Sequence, residues 1–583
     1  MDEKLAVTAV ILDFAAERTV FTWKGQTIVP LALIEGEPLV QRTLRQLEDA
    51  RVARIIVVHA SDEVRKVAEG SHMGAAEIFV VDDLDSADHL KAVLASSEPH
   101  SRVAVFIVAA NVAFADGVIK DFISAQTSHP CRRRRVLIEA PSHGGKKAAL
   151  PTSQPTLSYV GEAMSPSLVG CVRATAGSLM ERGELLDRHD ASADETAIAP
   201  GGTVKVIRDA LDLEIANFLF SPAEARYHRV SKGSGGYWSR PIAEHLLLCN
   251  SFFPPARFFD RLADRLRDVL TFYPSGQEHL ARLVALMTGQ AAEHIVVGSG
   301  VTDIIQALYA VIEPRISIPT PTFDMLQIAL PPERVSCFEL PEPFFDLDVD
   351  KFGAFSLERQ ATAAVVVNPN NPSGRLAKVG DLRRLASTLE SVNSGLIVDE
   401  SFIDFPRDGL RQSFEPYVAQ HPNVIILKSL GKVWGLGGIR LGYMLSANTE
   451  LVSRVRQRLP LWNVDGVAEY ALWIIPEFRA DLQDSLELIR AAREQLEASL
   501  RELSDFAIVP SSTNFVFCKL PASWPSGSAL KRWLVIYHNV LIRECAYQTM
   551  RDADRYIRLS VRSLAENARL IDALQKATKV SWP

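Results

Sequence analysis

The sequence predicts an α/β protein of two modules. Three observations carry this: β-branched apolar runs alternate with amphipathic helical stretches, the rhythm breaks once, and the chain is too long for one domain. Alternation of this kind belongs to a largely parallel sheet with crossover helices. Segments 7–12, 54–59 and 102–108 read as buried strands, and 39–50 carries apolar residues at helical spacing. Over 221–241 the rhythm gives way to Ser221-Pro222, then Lys232-Gly233-Ser234-Gly235-Gly236-Tyr237, then Arg240-Pro241. Turn formers clustered this way mark a junction. With 583 residues and about 100–200 per domain, the modules fall at 1–225 and 226–583.

Hydrophobic residues at 47% against 23% charged describe a chain able to bury a core, not a disordered one. The net charge of −7, from 63 Lys+Arg and 70 Asp+Glu, removes the electrostatic case for nucleic acid or an anionic membrane as partner. The longest apolar stretch, 103–115, is interrupted by Asn111 and is well short of the roughly 18 residues of a spanning helix. Met1-Asp2-Glu3-Lys4 lacks the layout of a signal peptide. The six cysteines include no Cys-x-x-Cys, which argues against a zinc site and a disulfide framework. The expectation is a cytoplasmic enzyme without a metal site.

Four segments of the second module carry chemistry. Gly298-Ser299-Gly300-Val301-Thr302-Asp303 lies between a strand at 295–297 and a helix at 304–311, a turn that aims backbone N–H groups at an anion. Asn368-Pro369-Asn370-Asn371-Pro372-Ser373-Gly374 follows a strand at 364–367. Leu396-Ile397-Val398-Asp399 is a buried strand ending in acid, and Ser429-Leu430-Gly431-Lys432 leads to Gly438-Ile439-Arg440. Taken singly these read as a turn, a turn, a helix cap and a surface lysine.

Together, in this order and spacing, they resemble the class I/II, fold type I aminotransferase superfamily, which uses pyridoxal 5'-phosphate (PLP). The resemblance implies a large domain at about 265–465. It also implies a small domain from about 466–583 plus the segment 226–264. It implies that Lys432 is the Schiff-base lysine and Asp399 the partner of the pyridine nitrogen. Asn371 then bonds the phenolic oxygen, and Gly300, Val301, Thr302, Ser429 and Arg440 hold the phosphate. Phe323 sits where the superfamily places an aromatic against the ring. Tyr273 resembles a tyrosine that reaches the neighbouring subunit's cofactor, which implies a homodimer, and Arg558 matches the arginine that forks onto the substrate carboxylate. The superfamily usually has Ser or Thr where this chain has Gly431.

Two branches compete, the threonine-phosphate decarboxylases and the histidinol-phosphate aminotransferases. Ser401-Phe402-Ile403-Asp404-Phe405 and the tail Leu541-Ile542-Arg543-Glu544-Cys545 are similar to the decarboxylase form, as is Arg562, where the aminotransferases usually have Gly. Arg240, Arg558 and Arg562 suit a small anionic amino acid with both a carboxylate and a phosphate or phosphonate. Decarboxylation is placed ahead of transamination.

Residues 7–59 resemble the nucleotidyltransferase superfamily of sugar-nucleotide and phosphocholine cytidylyltransferases, which implies a Rossmann-type first module. Its catalytic signature is missing: 13–18 has no glycine, Leu31 replaces a lysine, and Asn111 and Ala216 stand where metal-binding aspartates are found. Hard carboxylate oxygens for Mg²⁺ are therefore lacking. Such a module either recognises a nucleotide moiety on the substrate or is a structural remnant. A bifunctional nucleotidyltransferase/PLP enzyme is the least favoured reading.

Overall fold

The computed structural model describes residues 211–232 and 235–582 in full. N-terminal to these it describes the helix Leu39–Asp49, a set of strands and a few single positions. The chain forms two compact units, Met1–Pro241 and Ile242–Pro583. The expected junction at 225/226 falls inside the helix Ala223–Ser231, whose Arg226 donates to the Leu219 carbonyl at 2.9 Å, so the helix stays with the first unit.

In the first unit, β1 (Ala6–Leu12), β2 (Arg54–Val58), β3 (Glu77–Val81), β4 (Val103–Ala109), β5 (Arg135–Ile138), β6 (Pro155–Ala163) and β7 (Glu195–Ile198) form one sheet. Its order is β7-β5-β6-β4-β1-β2-β3. The strands expected at 7–12, 54–59 and 102–108 are β1, β2 and β4, and β1 pairs parallel with both others. β6 runs antiparallel to β4 and β5.

The second unit holds two sheets. The larger contains β9 (Ile295–Gly298), β10 (Ile316–Thr320), β11 (Val335–Glu339), β12 (Ala363–Val367), β13 (Gly395–Asp399), β14 (Val424–Ser429) and β15 (Gly442–Leu445). Their order is β9-β15-β14-β13-β12-β10-β11. Only β15 runs against the rest, antiparallel to β9 and β14. The other six strands therefore end at one rim. Both faces are apolar, as a covered parallel sheet requires. Along β12, Ala364 and Val366 face one core while Ala363, Val365 and Val367 face the other.

The smaller sheet is built from β8 (Ala243–His245), β16 (Ala507–Val509), β17 (Phe515–Lys519), β18 (Val540–Glu544) and β19 (Tyr556–Ser560), in the order β8-β18-β19-β17-β16. The start of the unit thereby joins its end. One face is covered by the helices Arg479–Leu503, Gly527–His538 and Leu564–Ala577 through Leu496, Leu530 and Leu570. Among the described residues no helix is long and apolar enough to cross a membrane.

Candidate active site

The carboxyl ends of the parallel strands gather the motif residues at one rim, where open α/β sheets bind ligands. After β9 the chain turns through Gly300, at φ 79°, into the helix Val301–Ile312. A Cβ at Gly300 would lie 2.6 Å from a guanidinium nitrogen of Arg440, so backbone and space both require glycine. Arg440 stands against the first turn of this helix, where the N–H groups of Val301 and Thr302 lack intrahelical acceptors. Cation and helix N-terminus form a cradle for a phosphate.

β13 delivers Asp399, which is buried. Its Oδ1 accepts the Ser401 N–H at 2.9 Å, and its carbonyl accepts the Asn368 N–H at 2.8 Å. Burial raises its pKa, opposed by the Ser401 hydrogen bonds and the Lys432 charge. A carboxylate in this setting is stabilised by a cationic partner such as a protonated pyridine nitrogen.

β14 ends at Ser429, whose N–H donates to Ser401 Oγ at 3.0 Å. The short helix Leu430–Val433 then presents Lys432. Asn250 clamps this turn: its N–H donates to the Lys432 carbonyl at 2.9 Å, and its side-chain amide to the Val433 carbonyl at 3.1 Å. Burial lowers the Lys432 pKa. Arg558 and Arg440 lower it further, and Cys249 and Asp399 oppose them. Lowering favours the neutral amine, the form that attacks an aldehyde. A Cβ at Gly431 would approach the Leu436 carbonyl oxygen to 3.0 Å, so a serine or threonine there would crowd that carbonyl.

The small sheet supplies the other side. Arg558 donates from Nη1 to Asn371 Oδ1 at 2.7 Å and from Nη2 to the Leu246 carbonyl at 2.6 Å. Its Nε is buried without a partner. Directly across the β18–β19 ladder from Arg558 stands Arg543, on the same face. Arg543 bonds the Tyr547 hydroxyl at 2.9 Å and lies 3.9 Å from Asp324. Two guanidinium groups thus share one surface.

The other expected residues lie as follows. Phe323 is half-buried against the core. Tyr273 is exposed and stacks on Trp462 at 4.4 Å. The Arg562 guanidinium is bonded to Glu566 at 3.2 Å. Arg240 belongs to the first unit, where it donates to the Arg229 carbonyl at 3.3 Å. Segment 13–18, Leu31 and Asn111 lie outside the described residues. Ala216 is buried in the helix Ala210–Phe220. Sequence reasoning missed two residues, Arg543 and Ser401. Arg543 could have been found by setting the two apolar-alternating tail strands antiparallel, and Ser401 by its spacing of two from Asp399.

The family described as aminotransferase class I and II matches residues 262–574, more than half of the chain. The chain belongs to this family. It is 31% identical to the CMP-5'-(3-aminopropyl)phosphonate synthase of Streptomyces rubellomurinus, over 94% of this chain and 91% of that one. It is 30% identical to the L-serine phosphate decarboxylase of Sulfurospirillum multivorans, over 59% of this chain and 88% of that one. A histidinol-phosphate aminotransferase from Sinorhizobium meliloti, solved in complex with pyridoxal-5'-phosphate, shares the fold. It superposes with a TM-score of 0.52 at 21% identity, over 62% of this chain and 95% of that one.

PLP is the cofactor of this family member. The residues fit it: the Gly300 cradle with Arg440 suits its phosphate, the buried Asp399 its pyridine nitrogen, and Asn371 its phenolic oxygen. When bound, PLP supplies an aldehyde and an electron-accepting ring. Asp399 would hold the ring nitrogen protonated. Lys432 would anchor the aldehyde and carry a proton to or from the substrate Cα, and Arg558 would orient a carboxylate.

Proposed function

We propose that the chain is a PLP-dependent decarboxylase of an α-amino acid bearing a phosphoryl or phosphonyl group, with Lys432 and Asp399 as its catalytic residues. The observation that carries this is the Arg558–Arg543 pair on one face of the small sheet. Two adjacent guanidinium groups match a substrate with two anionic groups, and bidentate recognition of carboxylate and phosphate is the work for which arginine is suited. Arg543 stands directly across the ladder from Arg558, whereas the Arg562 guanidinium bonds Glu566 and Arg240 donates to the Arg229 carbonyl. The synthase and decarboxylase named above support a phosphonate- or phosphate-bearing substrate.

The similarity to the CMP-phosphonate synthase runs over nearly the whole chain, which supports a substrate carrying a nucleotide. In this reading the first unit is nucleotidyltransferase-like and recognises that nucleotide without transferring it, since Ala216 is apolar and buried. The exposed Leu270, Phe272, Tyr273, Leu461 and Trp462 form the homodimer surface. The test is a panel of amino acids with plain, phosphorylated, phosphonylated and CMP-linked side chains, with CO₂ release as the readout. Phosphorylated or phosphonylated substrates should exceed their plain counterparts by at least about tenfold in kcat/KM, the loss expected when a charge-assisted hydrogen bond is left unmade. Equal rates across the panel would overturn the assignment.

A further inference from the structure

Behind the rim lies a second cluster that the cofactor chemistry does not use. Each of the three neighbouring strands β13, β14 and β15 carries a cofactor-site group at or beside its end: Asp399, Ser429 with Lys432, and Arg440. Near these groups stand Glu400, just past β13, Lys428 on β14 and Tyr443 on β15. These three meet on the reverse side. Lys428 and Tyr443 are direct cross-strand partners. Glu400 is fully buried and Tyr443 nearly so.

The contacts close the cluster. Lys428 Nζ lies 3.2 Å from Asp404 and 3.7 Å from Glu415. The Tyr443 hydroxyl donates to Glu415. Glu400 accepts from the Ser413 hydroxyl and from the Phe414 N–H, each at 2.6 Å. The charged and titratable groups facing one another are therefore Glu400, Asp404, Glu415, Lys428 and Tyr443. Three carboxyl groups share one buried cation, so full ionisation would leave uncompensated negative charge.

We propose that Glu400, Asp404, Glu415, Lys428 and Tyr443 form a positioning network that holds one proton and ties the ends of β13, β14 and β15 together. It thereby fixes Asp399, Lys432 and Arg440 relative to one another. The proton resides on Glu400, whose pKa is pushed up to about 8, first by burial and then by Glu415. Burial opposes the charge on Lys428, but Asp404, Glu415 and Glu400 outweigh it and raise that pKa. An unfolded glutamate loses its proton near about 4.3, so the folded state keeps a proton that the unfolded chain has released. The stability this gives is full in acid, declines as pH rises toward 8 and is gone above it. Loss of the proton adds a charge that pushes the strand ends apart.

The network rests on PLP binding and not on decarboxylation. The test therefore measures the PLP dissociation constant of the full-length apoprotein between about pH 6.5 and 9.5, with its Tm at each pH. Wild type should bind more weakly as pH passes about 8, and Glu400→Gln, which carries no titrating proton, should lose that step. Lys428→Met should weaken PLP binding about tenfold near neutrality, and Lys428→Arg should restore it. Superimposable pH profiles for wild type and Glu400→Gln, in affinity and in Tm, would overturn the proposal. So would unchanged affinity in a folded Lys428→Met protein. If Lys428→Met does not fold, the Glu400→Gln comparison decides. Wild-type binding at neutral pH tests the cofactor assignment separately.

Discussion

The role proposed for Lys432 depends on its position. Burial favours the neutral amine, and the neighbouring Arg558 and Arg440 reinforce that effect. Lys432→Ala should lower turnover by roughly a hundred- to ten-thousand-fold. It should also leave no cofactor attached after borohydride reduction, read by intact mass. The two arginines quoted from the tail separate in their expected effects. Arg543→Ala should raise KM for a phosphorylated substrate by roughly ten- to a hundredfold, the value of a lost charge-assisted hydrogen bond of about 1.5–3 kcal/mol. Arg562→Ala should change it by less than about threefold, because its partner Glu566 is partly exposed. Steady-state kinetics on the two variants distinguishes them. Lys432, Asp399 and Asn371 were singled out because their segments stand in an ordered string, and the structure brings those segments to one rim. Arg543 was not, because its role comes from a strand pairing that the local sequence does not state.

Elements set these side chains by register. A one-residue slip of β18 against β19 would turn Arg543 to the face opposite Arg558, so the helices beneath the small sheet matter to the site. The helix Leu564–Ala577 begins with a complete capping box between Ser563 and Glu566. Ser563→Ala should cost about 1 kcal/mol, seen as a lower urea midpoint with an unchanged m value. Strands β9, β12 and β13 were readable because their apolar runs lead into Gly, Asn or Asp at the rim. The junction at 225/226 was misplaced because Ser221-Pro222 looks like a linker, whereas Pro222 is the N-cap of a helix that continues through 231. Proline is tolerated at a helix start as well as in a turn.

At the scale of the whole molecule the two units carry unequal information. The second was read from ordered segments that the structure gathers at one rim. The first was read mainly from what it lacks, and 13–18, Leu31 and Asn111 lie outside the described residues. The full-length protein should release no pyrophosphate from CTP with Mg²⁺ and phosphonate acceptors, in a coupled pyrophosphate assay. Metal-dependent release would restore the bifunctional reading. As proposed, the site breaks the Cα–carboxylate bond of an anionic amino acid and regenerates itself unaided. The direct measurement is turnover of a phosphonylated amino acid by purified holoenzyme with no 2-oxo acid present. The expected result is many equivalents of CO₂ and amine per active site with the cofactor still linked to Lys432. One equivalent of pyridoxamine phosphate, no CO₂, and cycling only after a 2-oxo acid is added would assign the chain to the aminotransferases instead.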